Sequence, residues 1–550
     1  MGNDAGQPDS GVADASVSDA GERTDAGTDA GLDAGLDAGV DAGFDAGFDA
    51  GTTDAGGGDA GDGDGGIDAG FDGGEADAGP VDAGFDAGTL PFDAGTIDAV
   101  VTIDVANPGA AVPSDFLGLS VEWSHVNDVL GDTTGHPRAT VVQLLQNFAA
   151  DGHTLVLRIG GNSEDQAYWN PSGGALPSGA TVSLDASQLG VLSELSTATG
   201  AHYVLGLNLA RNDSANAAAL VTAALAALPA GSIDAFEVGN EPDLYALTGA
   251  RPFYYSQYLF QPDFDGYFPA LSTAASNQPL FAAPAVYGTT WFSWLSGFLS
   301  AESGRLSLVT VHHYPYEVCS GLNTPTLASL FTAQATTDFA TTFAPVVQTC
   351  SAAGLKLRVA EMNSISCGGV PGVSDVFAAG LWGADAMFEL ASVGAAGVNV
   401  HGPGKYPVFD FDSTGALEVR GLYYGMLLFS HATAQQGRWL NATVSSSHQV
   451  RAWSTIGSDG VTRAAVINED LASAVRVAIT VPMHAGAAQA YALTAVALDS
   501  TTQISFGAQT WSGSTDGLPS GALSPVSPPS NGDTWYVDLP AGSAAFFTAP

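Results

Sequence analysis

The sequence predicts an α/β protein: a (β/α)8 (TIM) barrel with a C-terminal β-sandwich domain, preceded by a disordered acidic tail. Three observations predict it. Residues 1–97 repeat the unit Asp-Ala-Gly. Residues 116–433 alternate short apolar runs with helical stretches, and residues 434–550 change to alternating strands separated by turn residues. Residues 98–115 read as strand that joins the sandwich.

The tail shows its four-residue period in "GLDAGLDAGVDAGFDAGFDAG" (31–51). Aspartates repel one another, glycines cost entropy to order, and few large side chains are available to bury, so the segment is expected to be an extended, disordered linker. A calcium-binding repeat is the sharper alternative. Calcium needs six to eight converging oxygens, and no twelve-residue EF-hand loop can be read here. Residues 1–98 carry 24 acidic side chains and one arginine, and the remaining 452 residues carry 34 acidic and 13 basic ones. Both parts repel polyanions, which excludes nucleic acid as a partner and makes a heavily sulfated polymer a poor one. An acidic spacer of this kind suits a tether between a cell surface and a domain.

The barrel strands read as "LGLSVEW" (117–123), "TLVLRIGG" (154–161), "HYVLGLNL" (202–209) and "AFEVGNEP" (235–242). They continue as "PLFAAPAVYG" (279–288), "LVTVHHYP" (308–315), "LKLRVAEMNS" (355–364) and "GAAGVNVHG" (394–402). Continuous apolar strands imply burial on both faces, hence a parallel sheet. Helices fall between them, for instance at 139–152 and 374–394. The latter has Ser374 as its expected N-cap and Phe377, Leu381, Ala384 and Phe388 on one face. Eight strand–helix units spell a barrel. After the helix at 420–432, "HQVRAWSTIG", "TRAAVINED", "AVRVAITVP", "AYALTAVAL" and "TWYVDLP" are sandwich strands, and "AVVTIDVANPGAAVP" (99–113) is expected beside them.

No apolar run is long enough for a membrane span. Met1-Gly2-Asn3 lacks the basic and apolar regions of a secretory leader, so the protein is either cytoplasmic or has had a leader removed; secreted or surface-attached is the expectation taken. Cys319, Cys350 and Cys367 show no zinc spacing. Cys319 follows strand six and Cys367 follows strand seven. Neighbouring strands set these loops side by side, so a disulfide between them is expected in an exported protein, with Cys350 left free.

Polar residues gather where the strands end, the face on which barrel active sites are built. Strand one ends in Glu122, strand two in Arg158 and Asn162, strand four in Asn240-Glu241. Strand six ends in His312-His313-Tyr314, strand seven in Glu361, strand eight in His401. Two glutamates across a barrel mouth suit glycoside hydrolysis, one as acid and one as nucleophile. His312 and His313 are adjacent on a strand and face opposite ways, so no metal site is assigned, and no cofactor is expected. His401 reads as a hydrogen-bonding support. Trp291, Trp294 and Trp382 read equally as core or as sugar platform.

These residues resemble glycoside hydrolase family 79, the β-glucuronidases and heparanases, within the clan A retaining glycosidases. The resemblance rests on "FLGLSVEWS" (116–124), "LRIGGNSED" (157–165), "VGNEPDLY" (238–245) and "HHYPY" (312–316). It extends through "AEMNSISCGGVPGVSDVFAAGLWGADAM" (360–387) and "VNVHGPGKYPVFDF" (398–411). It implies Glu241 as acid/base, Glu361 as nucleophile, Asn240 on the sugar 2-hydroxyl and Tyr314 beside the nucleophile. It further implies Glu122 and Asn162 on non-reducing hydroxyls, and Cys367-Gly368-Gly369 with Tyr406 around a C6 carboxylate. Lys405, next to Tyr406, would add a positive charge. The expected substrate is therefore a β-glucuronide carbohydrate, cleaved by an exo-acting retaining enzyme. An endo-acting enzyme of heparanase type would favour a more basic cleft. A surface carbohydrate-binding protein with a dead barrel would not need both glutamates. Met362 departs from the small polar residue common at that place in the family.

Overall fold

The computed structural model describes residues 95–550 except 133, 323, 403 and 485. The expected disordered linker therefore lies outside the described residues, apart from its last three positions.

Eight parallel strands close into a barrel. In chain order they are Leu117–Glu122, Val156–Gly160, His202–Leu207, Ile233–Val238, Phe281–Val286, Leu306–His313, Leu357–Met362 and Gly397–His401. Nearly every strand residue is buried, which is why their apolar runs do not alternate. Each strand is followed by a helix. The helices are Ala139–Ala149, Ala186–Thr199, Ser214–Ala227, Gln257–Ala274, Leu295–Ala301, Asp338–Ala352, Phe377–Ser392 and Gly421–Ala432. Local signals set some of their ends: Asp185 and Gln188 form a capping box before Ala186, and left-handed Gly200 terminates the same helix.

The last two barrel helices differ from the others because they are buried almost all round. Glycines let them touch. A Cβ on Gly380 would sit 2.1 Å from the Gly421 carbonyl oxygen, and one on Gly425 would sit 2.1 Å from that of Gly380. Ser374 does not cap the first of them. The N-cap is Val376, and the Phe377 and Ala378 N–H groups donate instead to the Ser500 and Leu498 carbonyls of the sheet domain. Ser374 Oγ accepts from Val370 N (3.1 Å) and from Ser364 Oγ (3.0 Å), bracing the loop before the helix.

The second body is a ten-stranded sheet. Its strand Arg438–Ser446 belongs to two layers. Residues 438–440 pair with Val450–Ile456, and residues 441–446 pair with Ala99–Asp104. The layers enclose one core that includes Val101, Ile103, Val466, Val477, Trp535 and Phe547. Ala99–Asp104 thus lies inside this sheet, although the whole barrel follows it in the chain.

Candidate active site

Glu241 stands just beyond strand four in a left-handed conformation, φ 49°. Such a backbone costs a non-glycine residue on the order of 1 kcal/mol or more, so its surroundings must hold it. Its N–H donates to the Ala285 carbonyl (3.0 Å), and Pro242 opens the short turn Pro242–Leu244. Asp243 accepts the N–H groups of Tyr287 (3.0 Å) and Gly288 (2.7 Å), which ties the exit of strand four to that of strand five. Glu361 comes from strand seven, where the pairing with strand six shifts register between Val359 and Glu361. The irregularity sets Glu361 opposite His312 and aims it into the barrel mouth.

The two carboxylates meet there. An oxygen of each, with a ring nitrogen of His312, lies within 4.8 Å of the others. His312 Nδ1 is 2.9 Å from Glu241 Oε1. Tyr314 Oη donates to Glu361 Oε1 at 2.6 Å, and Arg158 Nη1 donates to Glu361 Oε2 at 2.6 Å. Three donor groups so close could in principle hold a cation. Each already has a protein partner: both Glu361 oxygens accept protein hydrogen bonds and His312 Nδ1 is engaged by Glu241.

Arg158 is the hub. It is fully buried and also bonds Glu237 Oε1 (2.8 Å from Nε), Glu164 Oε2 (3.4 Å) and Asn240 Oδ1 (2.8 Å). A guanidinium only donates, so the Asn240 side-chain oxygen must face it. The Asn240 NH2 is thereby turned toward Asn162 Oδ1 (3.3 Å) and the cleft. One cation among three buried carboxylates cannot neutralise them all. Burial pushes Glu164 well above the usual carboxylate range against the pull of Arg158.

The catalytic candidates are driven apart. Burial lifts Glu241 to about 7, only partly opposed by its bond to His312. Burial also lifts Glu361, but His401, His312, Arg158 and the Tyr314 hydroxyl outweigh it and hold Glu361 at about 2. One carboxyl keeps its proton at mildly acidic pH and the other does not.

The remaining candidates line the same mouth. Glu122 Oε1 accepts from Asn162 N (3.0 Å), and its Oε2 accepts from Ser163 N (2.7 Å) and from the Ser163 hydroxyl. His401 sits between, with Nδ1 3.0 Å from Ser120 Oγ and 3.6 Å from Glu361, and Nε2 3.9 Å from Glu122. Cys367, Gly368 and Gly369 all have positive φ (61°, 87° and 78°). A Cβ on Gly369 would fall 2.6 Å from Tyr406 Cδ1, so the Tyr406 ring packs where only glycine leaves room. The Gly368 carbonyl accepts from Lys405 N (3.0 Å). Among the described residues the N–H groups of Gly368 and Gly369 have no acceptor. Tyr406 is buried, with its ring 6.3 Å from that of Tyr314, whereas the Lys405 side chain is exposed, so the two neighbours diverge.

Cys319 and Cys367 are joined by a disulfide with their Cα atoms 5.4 Å apart, and Cys350 is free and buried. His313 faces away from the mouth and packs against Phe339 and Phe343. Trp291 and Trp382 are core. Sequence reasoning did not assign roles to Arg158, His312, Glu164 or Glu237. A signal existed for two of them: Arg158 and Glu237 are charges in the middle of apolar strands, which need partners when buried.

No protein-family model matches the chain. It is homologous to fungal proteins named β-glucuronidase. It is 24% identical over 366 residues to that of Aspergillus niger, covering 60% of this chain and 66% of the relative. It is 26% identical over 349 residues to that of Neurospora crassa, covering 56% and 60%. The chain thus matches less than two thirds of the length of these relatives. Among solved structures it resembles a 4-O-α-L-rhamnosyl-β-D-glucuronidase from Fusarium oxysporum (TM-score 0.67, 20% identity, 82% of this chain, 100% of that one). It also resembles a GH51 arabinofuranosidase from Xanthomonas axonopodis pv. citri (TM-score 0.58, 16% identity, 83% and 100%). What these structures share with the chain is the fold.

Proposed function

We propose that this chain is a glycoside hydrolase that removes terminal β-glucuronic acid from glycans or glycoconjugates with net retention. The observation that carries the reading is the pair Glu241 and Glu361, with oxygens within 4.8 Å and opposite protonation preferences. Retaining sites hold their carboxyl groups about 5–5.5 Å apart, and inverting sites hold them wider. The names of the fungal relatives support the glucuronide.

The chemistry follows from the protonation states. A Glu361 oxygen attacks the anomeric carbon and forms the glycosyl–enzyme ester while the bond to the leaving group breaks. Glu241 gives its proton to the departing oxygen. The ionised Glu241 then takes a proton from water, whose oxygen attacks the same carbon and frees Glu361. Arg158 and Tyr314 keep Glu361 ionised and fixed in orientation. The Asn240 amide donates to the 2-hydroxyl, and Glu122 and Asn162 take the hydroxyls at the far end of the sugar. The N–H groups of Gly368 and Gly369, beside Cys367, and the Tyr406 hydroxyl receive the C6 carboxylate. Lys405 adds charge at the rim.

Export, with the Asp-Ala-Gly segment as a spacer to a cell surface, fits the disulfide. No helix among the described residues is long and apolar enough to cross a membrane. One experiment tests the reading: a panel of nitrophenyl β-glycosides followed by proton NMR. Hydrolysis confined to the glucuronide, with the β-anomer formed first, is expected. A preference for glucoside, or an initial α-anomer, would overturn it.

A further inference from the structure

Among the described residues, the exposed large aromatic side chains are Phe253, Tyr254 and Tyr258, at 89%, 63% and 71% exposure. All three fall in one short stretch, and Leu247 of the same stretch is 83% exposed. Elsewhere in the described protein the exposed large apolar side chains are non-aromatic, and the one other close set, Leu518, Leu523 and Val526, holds no aromatic ring. Concentrated exposure of this kind marks a contact surface, whereas scattered exposure does not.

The stretch has a definite place. It is the connection that leaves strand four directly after Glu241, together with the first turn of the helix Gln257–Ala274. It is also held rigid from beneath. Arg251 donates to Asp263 Oδ2 (2.9 Å) and to the carbonyls of Leu209 (2.9 Å) and Ala210. Tyr255 Oη donates to the same Asp263 oxygen (2.9 Å), and the Arg251 guanidinium lies over the rings of Tyr245 and Tyr255. The N–H groups of Leu209 and Ala210 donate in turn to Asp165, whose second oxygen accepts from Asn240 N (3.4 Å). The loop is thus braced against the residues that position Asn240. Phe253 and Tyr254 meet edge to face at 5.4 Å.

We infer that Phe253, Tyr254 and Tyr258 form a binding platform for the leaving-group side of the substrate, and that this leaving group is a neutral saccharide. The inference rests on the glucuronidase reading. If Glu241 protonates the departing oxygen, the leaving group lies on the Glu241 side of the mouth, and the loop that follows Glu241 borders it. Aromatic faces stack on the C–H faces of sugar rings, and tyrosine hydroxyls add hydrogen bonds at their edges. The one arginine of the stretch, Arg251, is committed to Asp263 and backbone carbonyls, so a sulfated or phosphorylated leaving group finds no free cation there. The patch also extends over several residues, a breadth that suits more than one sugar ring.

The test compares two substrates, methyl β-glucuronide and a β-glucuronide carried on a neutral trisaccharide. It uses the full chain, the variants Phe253→Ser and Tyr258→Ser, and the double variant that combines them. Both positions are exposed, so the methyl substrate serves as an internal check on folding. The ratio of kcat/KM for the trisaccharide conjugate to that for the methyl glucuronide should fall about tenfold in the double variant, through KM. An unchanged ratio would overturn the platform. A ratio unchanged alongside a shift from dimer to monomer in sedimentation would assign the patch to self-association instead. Failure of the unmodified chain to cleave either glucuronide would overturn the glucuronidase reading itself, and the platform with it.

Discussion

Replacing His312 with phenylalanine should move the alkaline limb of the pH–rate profile upward. His312 is the nearest polar neighbour of Glu241, with Nδ1 2.9 Å from its Oε1. Its other ring nitrogen is buried and has no hydrogen-bond partner among the described residues, so phenylalanine fills the space and removes that one bond. The bond favours the ionised carboxylate, because burial raises Glu241 to about 7 while His312 opposes the rise. A hydrogen bond to a charged group contributes about 1.5–3 kcal/mol, or roughly one to two pH units. The alkaline limb of kcat/KM reports the free enzyme's acid, so it should shift from about 7 upward by at least one unit. Glu361 also loses a charge partner, but Arg158, His401 and Tyr314 remain and keep it ionised throughout the accessible range. The assay is the initial rate with nitrophenyl β-glucuronide, well below KM, from pH 3 to 9. A limb that stays in place, or moves to lower pH, would refute the assignment of Glu241 as acid and of His312 as its regulator.

Three further outcomes are expected. Glu361→Gln should abolish turnover of every substrate, whereas Glu241→Ala should spare nitrophenyl relative to alkyl glucuronides; equal losses on both would count against the division of roles. Tyr406→Phe should cost glucuronide turnover about tenfold more than any residual glucoside turnover, since a buried group left unpaired costs about 1–3 kcal/mol; parallel losses in the two kcat/KM values would reduce Tyr406 to packing. Stability should depend on pH at the junction of barrel and sheet, where Arg451 meets Asp385 and Glu389. Burial, and next Asp385, push Glu389 up to about 7. A folded value above the unfolded one gives stability that is complete below about pH 4.5 and lost as pH rises toward 7. Glu389→Gln should therefore raise Tm at pH 7.5 by about 2–4 °C and leave it nearly unchanged at pH 4.5; an equal change at both pH values in thermal melts would remove the proton from the account.

The barrel was legible because burial on both faces writes each strand as an apolar run, and the acids were legible because they stand where those runs stop. Arg158 of strand two and Glu237 of strand four meet Glu164 from the turn after strand two, and nothing in a linear pattern states which charges will meet. The strand Arg438–Ser446 escaped although Leu440, Ala442 and Val444 alternate with polar residues, because the run is short, weakly apolar and mostly exposed. Ser543–Ala549 escaped for the opposite reason: "SAAFFTA" is buried nearly throughout and its small residues give a weak strand signal. Ser374 misled because it has the right chemistry for a cap, while the cap is supplied by carbonyls more than a hundred residues later.

The position of Ala99–Asp104 has a consequence for biosynthesis. Its sheet neighbours are Arg438–Ser446 and Val475–Thr480, so the ribosome delivers this strand roughly 330 residues before its first partner. At about 5–20 residues per second the wait is on the order of tens of seconds. Throughout it, Ala99, Val101 and Ile103, all destined for the core, stand in water on an unpaired strand. The barrel gains no relief from being translated first, because the caps of its helix Phe377–Ser392 arrive still later, at Leu498 and Ser500. Nascent chains arrested before residue 438 should therefore hold an exposed strand and an uncapped apolar helix together, the state in which a chaperone would find most to bind.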